Sequence, residues 1–123
     1  MRKEAEQWLK QAESDLKNAN LLFENKAYDV AAFLSHQIAE KALKSKILKA
    51  NKELPLKTHN LKELGEVANC PIDVMVALRD LTPHYIVSRY PDAANGVPAE
   101  LYTENTAKKC MENAELVLKW CRK

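Results

Sequence analysis

At 123 residues the chain is long enough to enclose one hydrophobic core and too short for two domains of usual size. A content of 46% hydrophobic and 29% charged residues excludes a disordered polypeptide, and a net charge of only +2 excludes the strongly basic footprint of a dedicated duplex-binding domain. Two glycines against five prolines leave few tight-turn positions for hairpin-linked strands, so helices are the expected element throughout.

The opening MRKEAEQWLK is charged where a signal peptide needs an apolar run, and no stretch approaches about 18 consecutive apolar residues, so the expectation is a soluble cytoplasmic protein. From roughly Lys3 to Glu24, Ala5, Trp8, Leu9, Ala12, Leu16, Ala19, Leu22 and Phe23 recur at the three-and-four spacing of an amphipathic helix. Asn25 and Lys26 break the pattern. A second helix follows from about Tyr28 to Ala50, carried by Ala31, Leu34, Ile38, Ala42, Leu43 and Ile47. A connection this short makes the two helices antiparallel, and alanines on the seam let them approach closely. Lys41, Lys44, Lys46, Lys49, Lys52 and Lys57 crowd one stretch and read as a solvated face, as do the neighbours Glu40 and Lys41.

Asn51 to His59, with Pro55, reads as a loop before a short third helix bearing Leu61, Leu64, Val67 and Ala68, capped by Thr58 or Asn60. Pro71 is placed just inside a fourth helix with Ile72, Met75, Val76 and Leu78, which Pro83 interrupts or ends. Pro91 to Tyr102 shows no periodicity and reads as the longest surface loop. Thr103 then caps a last helix with Ala107, Cys110, Met111, Ala114, Val117, Leu118 and Cys121 on one face. The odd set of three cysteines lacks metal-ligand spacing, and Cys110 and Cys121 read as small core residues. The expectation is one all-α domain over 1–123, an antiparallel up-and-down helical bundle of four main helices plus one short helix, with no metal site and no cofactor.

Chemistry concentrates in ALRDLTPHYIVSRYPDA, Ala77 to Ala93, which holds one of the three histidines and two of the four tyrosines. Thr82 and Pro83 make a helix start, with the threonine as cap and the proline where no amide donor is required. His84 in that first turn is kept neutral by the positive end of the helix dipole, and the free amides there attract phosphate oxygens. Tyr85 and Arg89, four apart, share a face and offer a stacking ring and a bidentate clamp. His36 reads as a satisfied histidine, and His59 at a helix start could bind an anion, with capping and packing explaining it equally well.

Three segments resemble the HEPN family, the higher eukaryotes and prokaryotes nucleotide-binding domain: WLKQAESDLKNANLL (Trp8 to Leu22), SHQIAEKALK (Ser35 to Lys44) and YIVSRYPD (Tyr85 to Asp92). His59 with Leu61 and Leu64 resembles a further feature of that family. The resemblance implies a homodimeric helical bundle that binds nucleotides or RNA, often beside a separately encoded minimal nucleotidyltransferase. Its implied nucleotide or phosphate site is His84, Tyr85, Arg89 and Tyr90. Many relatives are metal-independent ribonucleases built on an arginine and a histidine four to six residues on, a spacing matched by Arg79 and His84. Since positions five apart on a helix differ by about 140° in azimuth, catalysis by this pair requires the two residues to come from different subunits of a dimer. The alternatives are therefore a binding module, a toxin-like endoribonuclease of a toxin-antitoxin pair, and a non-catalytic assembly module.

Overall fold

A computed structural model describes residues 2–123; Met1 of the expected 1–123 domain lies outside the described residues. The helices are α1 (Lys3–Glu24), α2 (Tyr28–Lys49), α3 (Leu61–Val67), α4 (Ile72–Leu81), α5 (His84–Val87), α6 (Pro91–Ala94), α7 (Pro98–Leu101) and α8 (Glu104–Cys121). The all-α bundle is the one expected, with α1, α2, α4 and α8 as its main helices and α3 as the short one. No helix among the described residues is long and apolar enough to cross a membrane.

α1 and α2 form the hairpin. Ala5, Ala12 and Ala19 of α1 and Ala31, Ala32, Ala39 and Ala42 of α2 are fully buried, so the backbones are separated by methyl groups alone. Ser45 of α2 exploits that closeness by donating to the Ala5 carbonyl at 2.7 Å. α2 packs not only on α1 but on α3, α4, α5, α7 and α8, which makes it the central helix, buried around nearly its whole circumference.

That centrality corrects the solvated-face reading for Lys41, Lys44 and Lys46, while Lys49, Lys52 and Lys57 are exposed as expected. Lys41 pairs at 2.6 Å with the buried Asp15 of α1, and Lys44 pairs with Glu40 while lying over the Trp8 ring. Lys46 covers Trp120, Lys46 and Lys49 both donate to the Lys123 carbonyl, and Lys52 closes on the Val67 carbonyl. Their apolar stems cover the flanks of α2 while the ammonium groups reach partners on neighbouring elements.

The remaining boundaries follow local chemistry. Asn60 caps α3 by accepting from the Glu63 amide, and Thr103 caps α8 by accepting from the Thr106 amide. Pro71 is the residue before α4 and not its first turn. The expected long loop is corrected to two single helical turns, α6 and α7, each started by a proline and separated by Asn95 in the left-handed conformation at φ 60°. Prolines at N1 supply those starts without any periodic apolar signal. Cys110 and Cys121 are buried in the core, and burial pushes their thiols up to about 11 and about 12, leaving them unreactive packing groups.

Gly65 is where α3 meets α4. A Cβ there would stand 2.6 Å from Leu78 Cδ1 and 3.1 Å from both Cys70 Sγ and Met75 Cε. Gly65→Ala sets an overpacking cost of about 1–3 kcal/mol against a helix-propensity gain of about 1 kcal/mol. We expect a net loss of about 1 kcal/mol, measured as a lowered urea midpoint; a raised midpoint would show slack in this seam.

Candidate functional site

Phe33, His36, Gln37, Glu40 and Lys44 lie three and four apart along α2 and therefore share one face. That face is covered by the segment leading into α3 and by α5, which bring His59, Tyr85 and Arg89 onto it. At its base is Glu40, whose side chain is only 4% exposed. Its Oε1 lies 2.9 Å from His59 Nδ1 and its Oε2 accepts from Lys44 Nζ at 3.0 Å, so both oxygens are used. An isolated carboxylate would not stay charged in this position without such partners.

A carboxylate at Glu40 accepts from this contact, which places a proton on His59 Nδ1, and among the described residues Nε2 has no protein partner. The His59 side chain is 53% exposed and its ring stacks on Tyr85 with centroids 4.9 Å apart. On the inner side, the buried His36 packs against the same tyrosine at 4.8 Å, and its Nδ1 lies 3.2 Å from Gln37 Oε1. Burial lowers the His36 pKa, the charges of His59 and Arg89 act in the same direction, and Gln37 and Glu40 oppose them.

Arg89 completes the cluster. Its Nε donates to the Tyr85 carbonyl at 2.7 Å, and its guanidinium carbon lies 4.4 Å from the Tyr85 ring centroid, 4.7 Å from Phe33 and 5.1 Å from Tyr90. Among the described residues no carboxylate pairs with it; the acids that do pair are Glu13, Asp15 and Glu40, with other cations. Of the expected phosphate-site residues, Tyr85, Arg89 and Tyr90 thus converge. Tyr85 is not the open stacking ring the sequence suggested, since Arg89 and His59 lie against it; Tyr90, with Arg89 against it but 47% exposed, is the more open ring.

His84 faces elsewhere. Its Nδ1 lies 2.6 Å from the Tyr102 hydroxyl, in a cavity of about 220 Å³ shared with Val87, Ala94, Leu101 and Thr106. Burial lowers the His84 pKa, Asp80 partly opposing, and burial pushes Tyr102 up to about 12. Arg79 is exposed on α4 and lines a different cleft of about 440 Å³ with Asn60, Lys62, Met75, Thr82 and Pro83. Within one chain, therefore, Arg79 and His84 serve separate cavities, as their azimuthal separation on a helix requires.

The expected threonine cap is also corrected. Thr82 is itself helical, and its hydroxyl donates to the Leu78 carbonyl at 2.7 Å, continuing α4 in place of capping α5. The amides of Tyr85, Ile86 and Val87 already bond back to the Thr82 and Pro83 carbonyls, so this turn offers no row of free donors. What sequence reasoning missed is Glu40, expected in solvent, together with the ring-holding roles of Phe33, His36 and His59. The signal was present in the spacing 33, 36, 37, 40 and 44, which puts two aromatic or imidazole rings and an acid on one stripe.

The sequence model of the HEPN domain matches residues 5–123. A Methanocaldococcus jannaschii protein that carries a provisional toxin name is 26% identical, over 94% of this chain and 84% of its own length. Among solved structures, an archaeal HEPN homologue is 37% identical with a TM-score of 0.85, covering 98% of this chain and 97% of its own. A protein from Thermus thermophilus is 30% identical with a TM-score of 0.89, covering 98% of both chains.

The buried His36 links stability to pH. The unfolded chain takes up a proton at this position near its ordinary value of 6.5, before the folded chain does. Stability is therefore fully present above that value and lost as pH falls through the lowered folded one. Urea unfolding between pH 7 and 5 should show a steeper loss for the wild type than for His36→Asn; equal slopes would mean that this imidazole is not held neutral.

Proposed function

Since the chain belongs to the HEPN domain family, we propose that it is a nucleotide- or RNA-binding homodimer in which Arg89 holds a phosphate group. The observation that carries this reading is a guanidinium fixed against three aromatic rings with no acid paired to it among the described residues. Nε is tied to the backbone, which leaves the two terminal nitrogens as a planar fork suited to two phosphate oxygens. Tyr90 beside it supplies an exposed face for a base.

The homodimer is supported by the outer face of α4, where Ile72 is 84% and Val76 45% exposed, an apolar surface that a twofold contact would cover. The partner in this reading is a separately encoded minimal nucleotidyltransferase. Arg89→Ala is expected to weaken nucleotide binding at least about tenfold in calorimetric titration, the loss associated with a charge-assisted hydrogen-bond pair. Unchanged affinity in that variant would reject the assignment.

A second reading, a metal-independent endoribonuclease, draws on the toxin name of the M. jannaschii relative and on His84, whose burial favours the neutral, proton-accepting imidazole. Here His84 of one subunit would deprotonate an RNA 2′-hydroxyl and Arg79 of the other would stabilise the phosphorane charge. The protein would cut RNA in the presence of chelator and leave a 2′,3′-cyclic phosphate, and His84→Ala would stop cleavage without unfolding the bundle. Absence of cleavage by the wild type removes this reading; absence of both cleavage and binding leaves an assembly module.

A further inference from the structure

Three features outside the arginine fork were candidates for a further role: the apolar cleft beside Arg79, the small cavity under His84, and the Glu40–His59 pair. The third packs on the same tyrosine ring as the fork. We propose that His59 is a second phosphate ligand of the Arg89 site, and that Glu40 is the buried positioning residue that presents His59 Nε2 to the ligand; this rests on the reading of Arg89 given above.

Both groups lie against one ring. The Arg89 guanidinium carbon is 4.4 Å and the His59 ring centroid 4.9 Å from the centroid of Tyr85, so both groups are held on one ring. Each is anchored through one nitrogen and open through the others: Arg89 by Nε on the Tyr85 carbonyl, His59 by Nδ1 on Glu40. A histidine with only a packing or capping role has no need of a buried acid, and capping of α3 is already done by Asn60. Glu40 is held by Lys44 on its other oxygen, so it cannot swing away to serve solvent.

Glu40 and Tyr85 contact His59, with Lys44 on the other oxygen of Glu40 and His36 and Arg89 on the Tyr85 ring. Glu40 is the only acid of this set, and both its oxygens are occupied. The outward aspect is therefore cationic and donor-rich when Nε2 is protonated, which suits a phosphate group. Binding at this residue is proton-linked: Nε2, bare in the Nδ1–H tautomer, takes up one proton from solvent to form the imidazolium, and a phosphate oxygen accepts from the new Nε2–H while others accept from the Arg89 fork.

The test uses the full chain labelled with ¹⁵N-histidine and titrated with adenosine 5′-monophosphate, with inorganic phosphate, adenosine, and an oligoribonucleotide lacking terminal phosphates as parallel arms. In the free protein, His59 should show the Nδ1-protonated tautomer, and Glu40→Gln should relax it. Adenosine 5′-monophosphate or phosphate should shift the His59 Nε2 resonance and adenosine should not; a shift produced only by the oligoribonucleotide would assign the same ligand chemistry to a phosphodiester. His59→Gln, a change at a half-exposed side chain that spares the core, should lower affinity about tenfold. If His59→Gln binds as the wild type does while Arg89→Ala loses binding, the His59 assignment is overturned and the Arg89 reading stands. If both variants bind as the wild type does, both fall.

Discussion

The structure depends on α2 being enclosed. A helix packed by six other helices cannot keep a polar side in water, so every hydrophilic residue on it must find a protein partner or lie at an edge. α2 meets that demand completely: Ser35 bonds back to the Ala31 carbonyl, Ser45 reaches across to Ala5, and Glu40 is shared between Lys44 and His59. Among the described residues no buried side-chain nitrogen or oxygen lacks a partner.

The same enclosure explains why alanine and lysine are both needed on one element. Alanines at the α1 seam bring the backbones close enough for the Ser45 bond, where a larger side chain would hold them apart. Lysines at the flanks then span the distance to Asp15, Trp8, Trp120 and the carbonyl ends of neighbouring segments. Replacing the buried ion pairs by apolar groups of matching shape need not weaken such a bundle, whereas removing one partner strands a charge in the interior. Their value here lies in fixing which surfaces α2 presents.

The interruption at Pro83 divides the chemistry of the following turn. His84 turns toward Tyr102, next to α8, while Tyr85 and Arg89 turn toward α2, where Phe33, His36 and His59 receive them. Neighbours in sequence thus belong to different cavities, and residues far apart in sequence belong to one. The cluster on α2 combines a positioned imidazole, an unpaired guanidinium and an open tyrosine, and its contacts run mainly between residues distant in sequence, apart from His36 with Gln37 and Arg89 with Tyr90 and the Tyr85 carbonyl.

Sequence alone determined the class, the limits of the long helices, the cap at Thr103, the choice of Thr58 or Asn60 for the other cap, the cysteine packing and the family, because those depend on periodicity and on side-chain chemistry within one turn of the chain. It also brought Tyr85 and Arg89 onto one face, an i to i+4 relation that any helical turn enforces. Tertiary structure decided that Lys41, Lys44 and Lys46 are partnered, that Glu40 is buried, that α6 and α7 are helical turns, and that His59 packs on Tyr85 while His84 turns to Tyr102. The reason is that a helical repeat shows which residues share a stripe, whereas burial of a polar stripe depends on how many other elements come to cover it. Here that number was set by the packing of the other helices around α2, and by a proline whose position in the chain does not reveal which way the next side chain will turn.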